Sequence, residues 1–324
     1  MVVVVFVLSV LLFAWLRSLP GGPVSALLGQ RGNAADRARL TELLGLNDNI
    51  FVQYFRFLGR ALHGDFGIST GVATGESATR VFLDRFPATL ELSVFALLIA
   101  LAVGIPLGYF AARRKGTWLD NISVVTSLIG VAIPVFFLAY LLKYVFGLEL
   151  GWFPTSGRQG DIDATRVTGF FILDGILTRE WDAAWDALKH LVLPAIALAT
   201  IPFAVIFRIT RAAVLDVLDE DYVRTAESKG LTTGVIRRRH VLRNAMLPVV
   251  TTIGLQTGAL LAGAVLTERV FGIPGIGDAL ADGFALGDYP VLQLLITVAA
   301  MVYVVVNLVV DVSYALIDPR IRTR

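Results

Sequence analysis

The sequence predicts an all-α integral membrane protein, and three observations carry that expectation. Of the 324 residues, 56% are hydrophobic and only 17% charged, whereas soluble domains sit nearer half apolar and a quarter charged. The apolar residues gather into long runs with the charge between them. No ten-residue alternation suggests a barrel, so each run must be a helix that satisfies its own backbone polar groups inside hydrocarbon. The apolar content and the absence of cysteine exclude disordered and disulfide-stapled classes. With a net charge of only +2, the partner to expect is lipid and not nucleic acid.

A bilayer core of about 30 Å takes roughly 20 helical residues to cross. Six runs are candidates, near Val2–Leu16, Ala88–Ala112, Ile122–Gly147, Leu188–Ile209, Leu247–Thr267 and Val291–Ile317. The first reaches about 24 Å before Arg17, so it needs Arg17 to snorkel or the bilayer to thin. It lacks a basic start, and Leu19-Pro20-Gly21-Gly22-Pro23 reads as a turn, so residues 1–19 are expected to be a retained span. Residues 20–87 form a long external segment whose helix-like pieces, Leu40–Leu46 and Ile50–Leu62, suit a small cap. Residues 88–317 make a five-helix core and 318–324 a tail.

Orientation follows from lysine and arginine in short loops. Arg113-Arg114-Lys115, the basic residues between Arg208 and Arg243, and Arg320, Arg322 and Arg324 place those segments, and both termini, in the cytoplasm. Loops near 148–187 and 268–290 then lie outside.

The cytoplasmic loop 213–247 is the most informative region. Val214, Leu218, Tyr222 and Ala226 recur every four positions, which predicts one amphipathic helix over Val214–Ala226. Gly230 and Thr232-Thr233-Gly234 supply its turn, and a second amphipathic stretch, Val235–Met246, carries Arg237-Arg238-Arg239-His240. It leads into Leu247-Pro248, with proline expected in the first turn of the fifth span. Such a hairpin has an apolar face too small for its own core and needs something to dock against. Without further pattern it would read as a topogenic basic loop lying on anionic headgroups.

The residue order adds more. Asp221-Tyr222-Val223-Arg224-Thr225-Ala226-Glu227-Ser228-Lys229-Gly230-Leu231, followed by Arg243-Asn244-Ala245-Met246-Leu247-Pro248, resembles the EAA loop of ABC-importer permeases, and more narrowly the dipeptide/oligopeptide subfamily. The similarity continues in Phe86-Pro87-Ala88-Thr89-Leu90-Glu91-Leu92, Gly151-Trp152-Phe153-Pro154-Thr155-Ser156-Gly157 and His190-Leu191-Val192-Leu193-Pro194-Ala195. It runs on through Glu268-Arg269-Val270-Phe271-Gly272-Ile273-Pro274-Gly275-Ile276-Gly277, Asp288-Tyr289-Pro290 and Asp318-Pro319-Arg320, covering most of 86–320. One departure stands out: Arg224-Thr225-Ala226 occupies the place of Glu-Ala-Ala, so a partner group facing Arg224 is expected to be acidic or a carbonyl.

The resemblance implies a type I importer permease in a bacterial inner membrane, pairing with a homologous second permease, two ATPase subunits and an external solute-binding protein. It implies short peptides as the solute, and a coupling helix seated on the ATPase through Tyr222, Val223, Arg224, Thr225, Ala226, Lys229, Gly230 and Leu231. ATP and Mg belong to the ATPases; this chain is expected to bind no cofactor and to catalyse nothing. In keeping with that, no Gly-x-x-x-x-Gly-Lys-Ser/Thr loop occurs, and His63, His190 and His240 show no metal-site spacing.

The fifth span is small-faced at Gly258, Ala259, Ala262, Gly263 and Ala264, which suits a translocation path. Glu268 and Pro274 flank a Gly272–Gly277 turn that reads either as an external gate or as a capping loop. Ionisable groups in spans are functional candidates. Glu91 suits a helix N-terminus and Lys143 suits snorkelling, while Asp311, near Asn307, reads either as a partner of Arg208 or Arg211 or as a residue simply close to the interface. The alternative reading, a self-sufficient ion-coupled transporter, would use Glu91, Lys143 and Asp311 as relays.

Overall fold

A computed structural model of the chain describes residues 2–18, 24, 33–43, 45–162 and 164–317. The expected turn at Leu19–Pro23 and the tail 318–324 lie outside the described residues, as do the side chains of Ala262, Gly263 and Asp311. The described residues are mostly helical and contain no strand, only an isolated bridge between Ile68 and Ser77.

In chain order the helices are α1 (Val2–Ser18), α2 (Ala34–Leu43), α3 (Ile50–Leu62), α4 (Ala78–Arg113), α5 (Trp118–Ala132) and α6 (Val135–Leu142). A π-helical turn, Lys143–Glu149, follows. Then come α7 (Phe171–Leu177), α8 (Trp181–Leu218), α9 (Asp221–Ser228), α10 (Thr233–Val235), a second π-helical stretch over Ile236–Leu242, α11 (Arg243–Phe271), α12 (Ile276–Leu286) and α13 (Tyr289–Ile317). Among the described residues, α4, α8 and α13 are long and apolar enough to cross a bilayer, and two bent helix pairs bring the number to five if each pair crosses once. The apolar part of α1, Phe6–Trp15, is shorter.

Several boundaries differ from the sequence expectation for identifiable reasons. Ser77 caps α4 by accepting from the Arg80 N–H, so this helix begins ten residues before the expected span. The expected span Ile122–Gly147 is broken by a 102° bend between α5 and the helical stretch after it. Ile133 precedes Pro134 and takes extended backbone (φ −81°, ψ 125°), as the proline ring demands of the residue before it. Pro248 lies inside α11 and not in its first turn, because the helical path from Thr233 is continuous through the π stretch.

The core centres on α4 and α8, the most extensively packed pair. Ala88, Leu92, Ala96 and Ala100 repeat every four residues on α4 and share one buried cluster with Leu191, Leu193, Ala195 and Leu198 of α8 and Leu260 and Ala264 of α11. Further along, Gly104 and Gly108 let the backbones approach. A Cβ on Gly108 would fall 2.8 Å from the Phe207 carbonyl oxygen, a close crossing of the small-xxx-small kind. Gly258 does the same for α11 and α13, where a Cβ would lie 2.9 Å from the Tyr303 ring.

The turn at 69–72, within the segment expected to lie outside, is folded onto this core. The Asp288 Oδ2, at the start of α13, accepts from the Ser69 hydroxyl at 2.5 Å and from the N–H groups of Thr70, Gly71 and Val72 at 3.2, 3.0 and 3.0 Å. Asp288 is fully buried, so the turn at 69–72 is held by a carboxylate with no water to compete.

Candidate functional site

At the loop expected to be cytoplasmic, α8 stops at Leu218 and Asp219-Glu220 turn the chain before α9. The expected single helix over Val214–Ala226 is therefore two helices. Glu220 sits in extended backbone as the N-cap and Asp221 lies in the first turn of α9, where the helix dipole favours acidic groups. The break turns Val223 and Ala226 inward. They are 2% and 4% exposed and pack with Tyr109 and Ala112 of α4, Ala213 and Val214 of α8, and Ile236, Val241 and Ala245. The apolar face expected to await a partner is thus covered by the chain's own helices.

What remains outward is polar and sharply bounded. Tyr222, Arg224, Thr225, Lys229, Gly230 and Leu231 are exposed. Gly230 takes φ +72°, a left-handed turn conformation suited to glycine, and Leu231 N–H bonds back to the Ala226 carbonyl. The Tyr222 hydroxyl accepts from Asn244 Nδ2 at 3.0 Å, tying α9 to α11. Arg224 reaches only Asp221, at 4.0 Å and in solvent, a weak contact that leaves the guanidinium available. Beside this face Arg237 lies over the Tyr109 ring, 4.9 Å from its centroid, while Arg238, Arg239 and Arg243 border an open cleft with Thr232, Gly234 and Val235.

At the opposite end Glu268 is fully buried and does not line an open path. Its Oε1 accepts from the Thr89 hydroxyl at 2.6 Å and its Oε2 from the Asp278 N–H at 2.9 Å, and the Ile276 N–H donates to Thr89 Oγ1 at 2.7 Å. The carboxylate thus caps the N-terminus of α12 and ties it to α4 and α11. Arg269 adds ion pairs to Asp278 and Asp282 at 3.1 and 2.5 Å, and Arg85 one to Asp278 at 3.3 Å. Gly272, at φ +59°, ends α11 with Ile273 N–H on the Glu268 carbonyl. Gly275 has no room for a side chain, since a Cβ would fall 2.3 Å from the Glu268 carboxyl. Pro274 is exposed on the turn. Of the expected path residues, Gly258 faces Tyr303 of the same chain and Glu268 sits in this knot.

The in-span charges also find partners that the sequence did not suggest. Glu91 lies more than about three turns inside α4, so the helix-terminus explanation fails. It pairs with Arg158 at 2.8 Å and accepts from the Ile172 N–H at 3.0 Å. Arg158 stacks over the Phe171 ring, 3.8 Å from its centroid. Lys143 donates to the Val270 carbonyl at 2.8 Å, at the C-terminal end of α11. Arg211 pairs with Asp120 and Arg208 Nε donates within α8 to the Ala204 carbonyl; the expected pairing of Asp311 with either falls on a side chain outside the described residues. Nearby, burial raises the Asp174 carboxyl pKa, but bonds from the Thr168 hydroxyl and the Thr168, Gly169 and Val167 N–H groups outweigh it and hold the pKa below the usual aspartate value. Asp120, Arg158 and Asp174 were missed because they lie outside the apolar runs, Asp120 just before one and the other two within the loop 148–187; the available sign for the two aspartates was an acidic residue in a first helical turn.

A family model described as "Binding-protein-dependent transport system inner membrane component" matches residues 104–323. The chain is 40% identical over 316 residues to the dipeptide transport system permease protein DppB of Alkalihalophilus pseudofirmus, covering 97% of this chain and 94% of that protein. It is 44% identical over 319 residues to the di/tripeptide transport system permease protein DppB of Pseudomonas aeruginosa, covering 98% and 94%. Its fold is similar to a chain in a structure of the MetNI methionine ABC transporter in inward-facing conformation, with TM-score 0.51, 14% identity, and 71% and 93% of the two chains covered.

Proposed function

The chain belongs to the family of binding-protein-dependent transport system inner membrane components, and from that premise we propose that it is the permease subunit of an ATP-driven importer of di- or oligopeptides. The observation that carries the reading is the match to peptide-transport permeases along nearly the whole chain. The α9 hairpin gives it a mechanical part. Its inner face is fixed to α4 and α8 by Val223 and Ala226, so a push on Tyr222, Arg224, Thr225, Lys229 or Leu231 is delivered to two long membrane helices. ATP and Mg are handled by separate ATPase subunits, and a second, homologous permease completes the translocation path with this chain.

In this reading α1 and the two bent pairs each cross once, giving six spans with both termini cytoplasmic. The five tryptophans agree with it. Trp118 lies beside the basic Arg113-Arg114-Lys115 turn, and Trp15, Trp152, Trp181 and Trp185 lie near the external ends, as interfacial aromatic belts require. The ion-coupled alternative is not favoured, because Glu91 and Lys143 are held by Arg158 and the Val270 carbonyl.

Uptake of labelled dipeptide into reconstituted vesicles tests the proposal. It is expected to need ATP, the ATPase subunits and the binding protein, and to survive collapse of the proton gradient. Uptake driven by the gradient alone would reverse the assignment.

A further inference from the structure

We propose that α3 is an interfacial helix whose Phe51, Phe55 and Leu62 stripe enters the external leaflet of the bilayer and anchors the external segment to lipid. The inference rests on α1 crossing the membrane, as above.

The helix α3 has three distinct faces. At about 100° per residue, Gln53, Tyr54, Phe57 and Ala61 share one side. That side is seated on α1: Tyr54 meets the Ser9 hydroxyl at 2.7 Å and the Phe13 ring at 5.5 Å, Phe57 stacks on Phe13 at 5.7 Å, and Arg17 donates to Gln53 Oε1. About 120° further round lie Phe51, Phe55, Leu58 and Leu62. Phe51, Phe55 and Leu62 are 70, 62 and 79% exposed, and no part of the described chain covers them. The third side carries Arg56 and Arg60, both exposed.

Depth decides what meets the apolar stripe. Ser9 and Phe13 lie within α1's apolar stretch, Phe6–Trp15, so contact with them sets α3 at the level of α1's outer half. Beside this contact on the same side of α1, Phe6 and Val10 are themselves exposed and apolar, and the Phe6 ring lies 6.1 Å from that of Tyr54. The stripe on α3 therefore continues the lipid-facing surface of α1, with the arginines turned to the opposite side and water. An amphipathic helix with aromatic anchors on one face and basic residues on another is the geometry of in-plane membrane binding.

The chain has no cysteine, so a single introduced one is unique within it. The experiment places a nitroxide at Phe55→Cys, Arg60→Cys or Leu11→Cys in the full chain with its partner subunits in lipid nanodiscs, and measures collision with oxygen and with a water-soluble nickel chelate. At Phe55→Cys, oxygen contact is expected to exceed nickel contact several-fold, as at Leu11→Cys, with the order reversed at Arg60→Cys. Nickel contact at 55 would put the stripe in water. Shielding from both reagents would mean that a protein partner covers it. Either result overturns the proposal, and if Leu11→Cys also reads water, the crossing of α1 fails with it. A bimane attached at Phe55→Cys is expected to be quenched by bromine-labelled lipid, which measures the same depth without a nitroxide; an unquenched bimane would likewise overturn the proposal.

Discussion

Asp120 and Arg211 meet through two bonds: Nε donates to Oδ1 at 2.6 Å and Nη2 to Oδ2 at 2.7 Å, joining the first turn of α5 to α8. Asp120 is 2% exposed and also accepts from the Gly116 N–H. Bidentate geometry strengthens the pair, and removing one partner of a buried pair leaves the other charge uncompensated, which is destabilising.

Asp120→Ala is therefore expected to destabilise the permease by roughly 2–3 kcal/mol, discounted because Arg211 is partly exposed. Arg211→Ala should do less. Thermal unfolding in detergent for both single variants and the double variant gives the coupling energy, and a coupling near zero would refute the pairing.

The α4–α8 crossing makes a steric prediction. Gly108→Leu, whose Cβ would meet the Phe207 carbonyl and Thr210 Cβ at 2.8 and 2.9 Å, is expected to cost about 1–3 kcal/mol or to prevent assembly. Gly59→Ala in α3, with nothing within 4 Å, should be neutral or stabilising by up to about 1 kcal/mol. Comparing melting midpoints of the two variants checks the crossing; equal midpoints would count against it.

The two sides of α9 should separate folding from coupling. Val223→Ala removes buried volume and is expected to lower stability by on the order of 2 kcal/mol. Leu231→Glu and Arg224→Glu, on the exposed side, should leave the melting midpoint within about 0.5 kcal/mol of the parent while weakening ATPase co-purification and peptide-stimulated hydrolysis at least about tenfold, a change of some 1.4 kcal/mol. Unchanged co-purification would place the ATPase contact elsewhere.

Acid should loosen the segment at 166–177. Asp174 has a folded-state pKa below its unfolded value, so its stabilisation is complete above the unfolded value and is lost as pH falls through the folded one. Hydrogen exchange of the 166–177 amides is expected to accelerate below about pH 4. Asp174→Asn, which cannot titrate, should abolish that pH dependence; a variant as acid-sensitive as the parent would exclude Asp174 as the cause.

Much of the architecture was legible because lipid leaves so few solutions. Apolar runs at 88–112, 188–209 and 291–317 could only be helices, and they are the interiors of α4, α8 and α13. Legibility failed where a local backbone rule overrode hydropathy. Pro134 breaks a run that is apolar on both sides, and Ser77 starts a helix well before the apolar residues begin. The family was readable from residue order in the loop 213–247, but that loop's division into two helices at Asp219-Glu220 was not, since four-residue periodicity survives a one-turn break. Partner choice was the least legible. Glu91 with Arg158, Lys143 with Val270 and Asp120 with Arg211 are separated by 67, 127 and 91 residues, and no short-range pattern encodes such distances.

The four donors gathered on the Asp288 carboxylate also bear on motion. Because the turn at 69–72 is fastened to the root of α13, any tilt of that helix during a transport cycle tows the turn along with it. The turn behaves as a passenger of α13, and its position reports which way that helix leans.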